Sequence, residues 1–263
     1  MLAERRTIAE RVIETGTIGG GGDRTLEIDA EAETIVFDEL TSLHDQGHRF
    51  NAISEERGAV EFGGAESEEP PVLVVIDPID GSLNAKRGLA YHALAVAVAD
   101  GSTMADVKFG YVYEFGTGDE WRAELGAGAF LNDRPLDPAL GERRSRDGRL
   151  EVVGIESVDP RRLQGAVDAL VDQAYRLRAI GALAPALCQV AGARFDGLVS
   201  LRRCRAVDVA AAQLIVREGG GHVSFPDCAE RLSAPLDLEP HSQVLAARTS
   251  SSLEQLEATC RLP

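Results

Sequence analysis

Lysine is almost missing from this chain of 263 residues: Lys86 and Lys108 are the only two, so nearly all of its 27 basic residues are arginines. Set against 43 acids, they leave a net charge of −16. Such a field repels nucleic-acid phosphates and anionic membranes, and both are excluded as partners on that ground. The acid excess reads as a solvated surface or as a fit to a high-salt cytoplasm, where screening over about 3 Å at 1 M removes self-repulsion. Arginine dominance could equally follow genome composition.

Long apolar runs are missing too. None approaches the roughly 18 to 20 residues that cross a bilayer, and "MLAERRTIAE" carries acids where a signal peptide would be apolar, so a cytoplasmic protein is expected. Cys188, Cys204, Cys228 and Cys260 are scattered, with no CxxC and no nearby His. Neither a zinc site nor a redox pair is indicated, and small buried or half-exposed thiols are expected. What is present is 44% hydrophobic and 27% charged, the profile of a globular chain able to bury a sizeable core.

Periodicity predicts a helix over residues 2 to 15, on Leu2, Ile8, Val12 and Ile13, before the glycine-rich "GTIGGGG". A second is expected from Ile28 to His44, marked by Ile35, Val36, Leu40 and Leu43. Strands follow at "FNAISEE", "PVLVVID", "HALAVAVAD", "VKFGYVYEF" and "EWRAELG", without long helices between them, which predicts a largely antiparallel or mixed sheet. After about residue 148 strands and helices alternate. The chain therefore reads as an α+β half over 1–145 and an α/β half over 146–263, forming one functional unit with a seam at 136–149. The run Gly19 to Gly22 is not a P-loop, since no Gly-Lys-Ser/Thr follows.

The chemistry concentrates in "VLVVIDPIDGS", residues 72 to 82. A continuous apolar strand belongs in the middle of a sheet covered on both faces, so its end is a rigid platform. Pro78 restricts the backbone there, and Asp77 and Asp80 are expected on a tight turn with converging side chains. Gly81 and Ser82 then open a turn or short helix whose N–H groups favour an anion. Two carboxylates beside an anion-binding backbone call for a hard divalent cation such as Mg²⁺; the alternative is a plain Asp-Pro turn. Glu55 in "ISEERG" is otherwise a solvated strand end, and Asp208 in "RAVDVAAAQLIVREGGG" an N-cap. Asp29 has the same bland explanation.

The segments "ISEE", "VVIDPIDGS", "GAGAFLN" and "RAVDVAAAQLIVREGGG" occur in the order and approximate spacing of the inositol monophosphatase and fructose-1,6-bisphosphatase superfamily. Over about residues 5 to 250 the chain resembles it, and most of all the archaeal-type enzymes that hydrolyse both inositol monophosphate and fructose 1,6-bisphosphate. The resemblance implies a layered αβαβα sandwich with mixed sheets, and a homodimer. It implies Glu55, Asp77, the Ile79 carbonyl, Asp80 and Asp208 as metal ligands, for two Mg²⁺ ions and at most three, with Mn²⁺ able to substitute. Ser82 and Asp29 would orient the attacking water, and Asp80, Gly81 and Ser82 would face the substrate.

The sequence departs from the superfamily in three places. Val207 stands where a large aromatic is usual, although archaeal-type relatives share the replacement. The loop that often carries Lys and Asp reads "GGGGDRTLE", with only Asp23 and Arg24. Leu201 stands where the animal monophosphatases have the acid that binds inositol hydroxyls. Arg178, Arg202, Arg203 and Arg205 are candidates for a second phosphate or for sugar hydroxyls, which would favour fructose 1,6-bisphosphate. Two alternatives compete with a sugar or inositol phosphatase. A 3′-phosphoadenosine or NADP phosphatase of the same fold would want an aromatic shelf, and aromatics are only 5% of the chain. An idle regulatory relative would have lost a carboxylate, and Glu55, Asp77, Asp80 and Asp208 are all present.

Overall fold

The computed structural model describes residues 11–20, 24–63 and 72–259. β1 (Glu14–Ile18) and β2 (Arg24–Leu26) pair antiparallel, so the helix expected over 2–15 gives way to a strand by Glu14. Leu2, Ile8, Asp23 and Cys260 lie outside the described residues. α1 (Glu27–Asp45) follows directly, within a residue of its expected bounds at each end. Its inward stripe differs from the expected one: Ile28, Asp29, Ala32, Glu33, Phe37 and Leu40 are buried, whereas Ile35 and Leu43 face solvent. Two acids on the buried stripe displaced the apolar pattern that periodicity alone would assign.

The next elements are β3 (Phe50–Ser54), β4 (Gly58–Phe62), β5 (Val72–Asp80), α2 (Ser82–Arg87), β6 (Ala93–Ala99), β7 (Val107–Glu114), β8 (Glu120–Glu124), β9 (Gly128–Leu131) and β10 (Arg134–Pro135). Their strands build an eight-stranded sheet in the order β10-β9-β8-β7-β6-β5-β3-β4. Only β3 and β5 run parallel, which fits a meander of hairpins with one crossover. β5, apolar from Val72 to Ile76, sits between β3 and β6 as a two-sided strand must.

Beyond residue 149 come β11 (Leu150–Glu156), α3 (Pro160–Leu170), β12 (Ala174–Arg178), α4 (Leu183–Ala191), β13 (Gly197–Ser200), α5 (Ala206–Glu218), β14 (His222–Ser224), β15 (Leu245–Ala247) and α6 (Ser250–Thr259). The five-stranded sheet β12-β11-β13-β15-β14 is parallel among its first three strands and antiparallel at β15.

Three apolar clusters stack these elements into alternating helix and sheet layers. Phe37 and Leu40 of α1 cover one face of the eight-stranded sheet, at Phe50, Phe62, Val74 and Ile76. α4 and α5 fill the space between the sheets, and α3 and α6 cover the far face of the second sheet. The result is the αβαβα sandwich with mixed sheets. β6 shows how the sequence sets the spacing. Its Ala93, Ala95, Ala97 and Ala99 face the central layer, while Leu94 and Val96 face α1. Opposite lie Ala210, Ala211 and Ala212 of α5, and a Cβ on Gly110 of β7 would fall 2.4 Å from the Ala211 carbonyl oxygen. Small residues on both sides let helix and sheet backbones approach closely.

One buried cation locks the helical layer. Arg248, just past β15 and 3% exposed, donates to the carbonyls of Ala191 (3.1 Å), Gly219 (2.9 Å) and Leu140 (3.0 Å). These are the C-terminal end of α4, the C-cap of α5 and the segment joining the two sheets. Helix C-termini leave carbonyls without partners and carry partial negative charge, so a guanidinium satisfies both needs. Cys188 and Cys204 are buried and Cys228 half-buried, all three as free thiols. Among the described residues no helix is long and apolar enough to cross a membrane.

Candidate metal and active site

The expected turn at Asp77 and Pro78 is a bulge inside β5 rather than a turn after it. Asp77 pairs with Ala95 and Asp80 with Ala93, which leaves one extra residue on β5. Asp77 Oδ1 accepts the Ile79 N–H at 2.9 Å, and Pro78 has no N–H to offer the ladder. The kink leaves both acids buried, at 1% and 7% exposure, on the same strand end. Gly81 then takes a left-handed φ of 85° as the N-cap of α2. Its lack of a Cβ is required, because one would lie 2.8 Å from Ala182 Cβ. Ser82, the first residue of α2, places Oγ 3.0 Å from the Ile79 carbonyl and 3.3 Å from Asp29 Oδ1.

The remaining acids arrive from other elements. Ser54 of β3 is level with Ile76 of β5, so the parallel register brings Glu55 alongside Asp77. Asp208 is the third residue of α5 and accepts the Arg205 N–H at 3.1 Å, so its side chain bonds back to the N-cap residue rather than being the N-cap. One carboxylate oxygen each from Asp77, Asp80 and Asp208 lies within 4.8 Å of the others. Asp80 Oδ2 also accepts the Ala184 N–H of the first turn of α4, at 2.6 Å.

Burial governs the protonation of this cluster. Burial raises the Glu55 carboxyl to about 7 although Arg205 opposes the shift, and Asp208 adds to it. Asp77 is pushed well above the carboxylate range by burial and then by Glu55, Asp80 and Asp208; Asp80 is pushed up by burial and Asp208. Like charges in a dry site cannot all ionise unless a cation joins them. The donor set is all oxygen, with no imidazole or thiolate, which suits a hard ion such as Mg²⁺ better than zinc or copper. The residues present therefore fit a divalent cation at Asp77, Asp80 and Asp208.

Of the four candidate arginines only Arg205 reaches the carboxylates. It donates to Glu55 Oε1 at 2.7 Å and to Asp208 Oδ1 at 3.2 Å. Arg202 is exposed and pairs with Asp159 at 2.9 Å, and Arg203 is exposed and pairs with Asp227 at 3.1 Å. Arg178 is exposed, bonding the Leu177 carbonyl, and has no acidic partner among the described residues. Leu201 is buried.

Sequence reasoning did not single out Glu156, which is 1% exposed at the end of β11. Its two oxygens accept the N–H groups of Ile180 (2.8 Å) and Gly181 (2.9 Å), and burial raises its carboxyl to about 7. Those N–H groups belong to the loop that delivers Ala184 to Asp80. The signal was available, since an acid closes "LEVVGIE" as Asp77 closes "VLVVID". Glu33 was passed over too. It lies one turn beyond Asp29 on α1 and accepts the Ser54 hydroxyl at 2.6 Å.

Comparison with known proteins agrees with this fold. The "Fructose-1,6-bisphosphatase/inositol-1-monophosphatase" of Methanothermobacter thermautotrophicus is 33% identical over 250 residues, covering 92% of this chain and 85% of that protein. The protein so described from Thermococcus kodakarensis is 32% identical over 77% of this chain and 70% of its own. The solved structure of a Thermotoga maritima IMPase superposes with a TM-score of 0.70 at 26% identity, over 94% of this chain and 87% of that one. The pattern of the inositol monophosphatase family runs through residues 1–261, and the chain belongs to that family.

Proposed function

We propose that this protein is a Mg²⁺-dependent phosphatase that hydrolyses sugar phosphate monoesters, with fructose 1,6-bisphosphate and inositol 1-phosphate as its substrate class. The observation that carries the proposal is the convergence of Asp77, Asp80 and Asp208 from both halves of the chain, next to the Ser82–Asp29 pair, in a member of this family.

Phosphate monoesters are among the slowest bonds to break in water, so charge stabilisation and a placed nucleophile must come from the site. A divalent cation bound by the carboxylates supplies Lewis acidity and positive charge for transfer of the phosphoryl group to water. Glu55, Asp77, Asp80, Asp208 and the Ile79 carbonyl are the groups that would hold it. Ser82 Oγ, fixed between Asp29 and the Ile79 carbonyl, would aim the attacking water, with Asp29 as the acceptor that orients the hydroxyl. The N–H groups at Gly81 and Ser82 would face phosphate oxygens. No residue has to form a phosphoenzyme.

Substrate choice falls on Arg178 more than on its neighbours. Arg202 and Arg203 would each have to leave an acid to meet a phosphate, whereas Arg178, at the end of β12, has none to leave. Phosphate release from fructose 1,6-bisphosphate and inositol 1-phosphate, with Mg²⁺ and with chelator, tests the whole reading. Release that depends on Mg²⁺ is expected for both, with Arg178→Ala raising KM only for the bisphosphate. No release from either substrate would overturn it.

A further inference from the structure

The four carboxylates of the site do not stand alone, because a cation of the chain itself is already among them. Arg205 precedes α5 as its N-cap and its side chain is only 18% exposed. Its guanidinium spans the junction of the two halves, bonding Glu55 after β3 at 2.7 Å and Asp208 of α5 at 3.2 Å. Arginine's planar fork suits this double grip, and it cannot lose its proton to escape. From these contacts we infer that Arg205 is an internal counter-ion that holds Glu55 and Asp208 in the metal-free protein and competes with divalent cations for them.

The inference rests on the metal reading of the previous subsection and adds an antagonism to it. Two of the acids that would hold metal are already engaged by Arg205, so taking up an ion there must weaken or break guanidinium bonds. Asp77 and Asp80 have no such partner among the described residues: Asp77 accepts the Ile79 N–H, and Asp80 the Ala184 N–H. Arg205 thereby stabilises the empty protein at the expense of metal affinity. A neutral side chain at 205 should reverse both effects. The metal-free fold would lose a bridge between its halves, and the carboxylates would bind a cation more tightly. A merely structural arginine would produce the first effect without the second.

The test is calorimetric titration of the full chain with Mn²⁺ alone, paired with thermal melts in chelator, for wild type, Arg205→Gln, Arg205→Lys and Arg231→Gln. Arg231 pairs with Glu257 on the surface and controls for loss of one positive charge. Arg205→Gln is expected to tighten Mn²⁺ at least about tenfold, the scale of a hydrogen bond between charged groups, while lowering the metal-free melting temperature by several degrees. Arg231→Gln should leave Mn²⁺ affinity within about twofold. Unchanged or weaker Mn²⁺ binding in Arg205→Gln would overturn the inference, as would equal tightening in Arg231→Gln. If Arg205→Gln does not fold, Arg205→Lys decides: lysine cannot reproduce the fork, so tighter Mn²⁺ supports the competition and unchanged affinity overturns it. If wild type takes up no Mn²⁺ at all, the metal reading itself fails and this inference goes with it. If wild type binds and the variants are indifferent, only the role of Arg205 is lost.

Discussion

Glu156 and Asp77 each belong to the end of a mostly apolar strand, and both are about 1% exposed. Their surroundings treat the charge in opposite ways. Glu156 places one backbone N–H on each oxygen, so the fold itself solvates it and a loop is pinned in return. Asp77 receives a single N–H from Ile79 and otherwise faces Glu55, Asp80 and Asp208, with Arg205 as the guanidinium bonded within the group among the described residues. A carboxylate provided with donors is part of the scaffold. Carboxylates turned toward one another are a site waiting for charge from outside, and the contrast is visible without any bound ion.

The comparison predicts different failures on neutralising the two. Asp77→Asn and Asp208→Asn should each cut Mg²⁺-dependent phosphate release by more than about a hundredfold; the metal-free melting temperature should hold or rise in Asp77→Asn, which relieves crowding among the acids, and fall in Asp208→Asn, which weakens the Arg205 bonds. Near-normal turnover in a folded variant would remove that residue from the site. Glu156→Gln should do the reverse, with a smaller loss of turnover and a stability loss of about 1–3 kcal/mol, since the new amide NH₂ faces one of the two N–H donors. Urea titration measures it, and an unchanged midpoint would end the pinning role.

A smaller effect separates the two centres by pH. Glu55 and Glu156 hold their protons to about pH 7 in the folded protein against an ordinary 4.5, so between those values the folded chain binds more protons than the unfolded one. Metal-free stability must therefore fall as pH rises from about 4.5 to 7. Mg²⁺ should remove the Glu55 share and leave that of Glu156, so the stabilisation by Mg²⁺ is larger at pH 7.5 than at pH 5.5. Melts at both values, with Mg²⁺ and with chelator, check this; equal increments would separate the cluster from the metal.

The smallest and least local effect concerns the net charge of −16. Raising KCl from dilute to molar should raise the melting temperature by screening the acids, and more in chelator than with Mg²⁺ present. A flat or falling curve would refute adaptation to high salt and leave the site untouched.

Much of the frame was legible because β5, β6 and β7 carry uninterrupted or alternating apolar runs whose meaning does not depend on partners. "GAVEF", "GAFL" and "RP" did not read as strands, since short edge segments owe their pairing to neighbours rather than to composition. The same divide runs through the site. Asp77 and Asp80 were readable from Pro78 and the strand before them. The pairing of Arg202 with Asp159, of Arg203 with Asp227 and of Arg205 with Glu55 is non-local, and three arginines in four residues look alike until the chain is folded. Asp29 and Glu33 were harder still, as acids on the buried stripe of a helix whose apolar residues suggest another face.

Arg248 gives the helical layer a mechanical property. It grips the far ends of α4 and α5, the helices whose near ends present the Ala184 N–H to Asp80 and carry Asp208. At 1.5 Å per residue α5 is a lever of about 20 Å, so a tilt of about 3° at the gripped end moves its tip by about 1 Å. A displacement of that order can cost about a hundredfold in rate. The tolerance of the site is thus set at a pivot on the opposite side of the layer, by a side chain that touches none of the carboxylates.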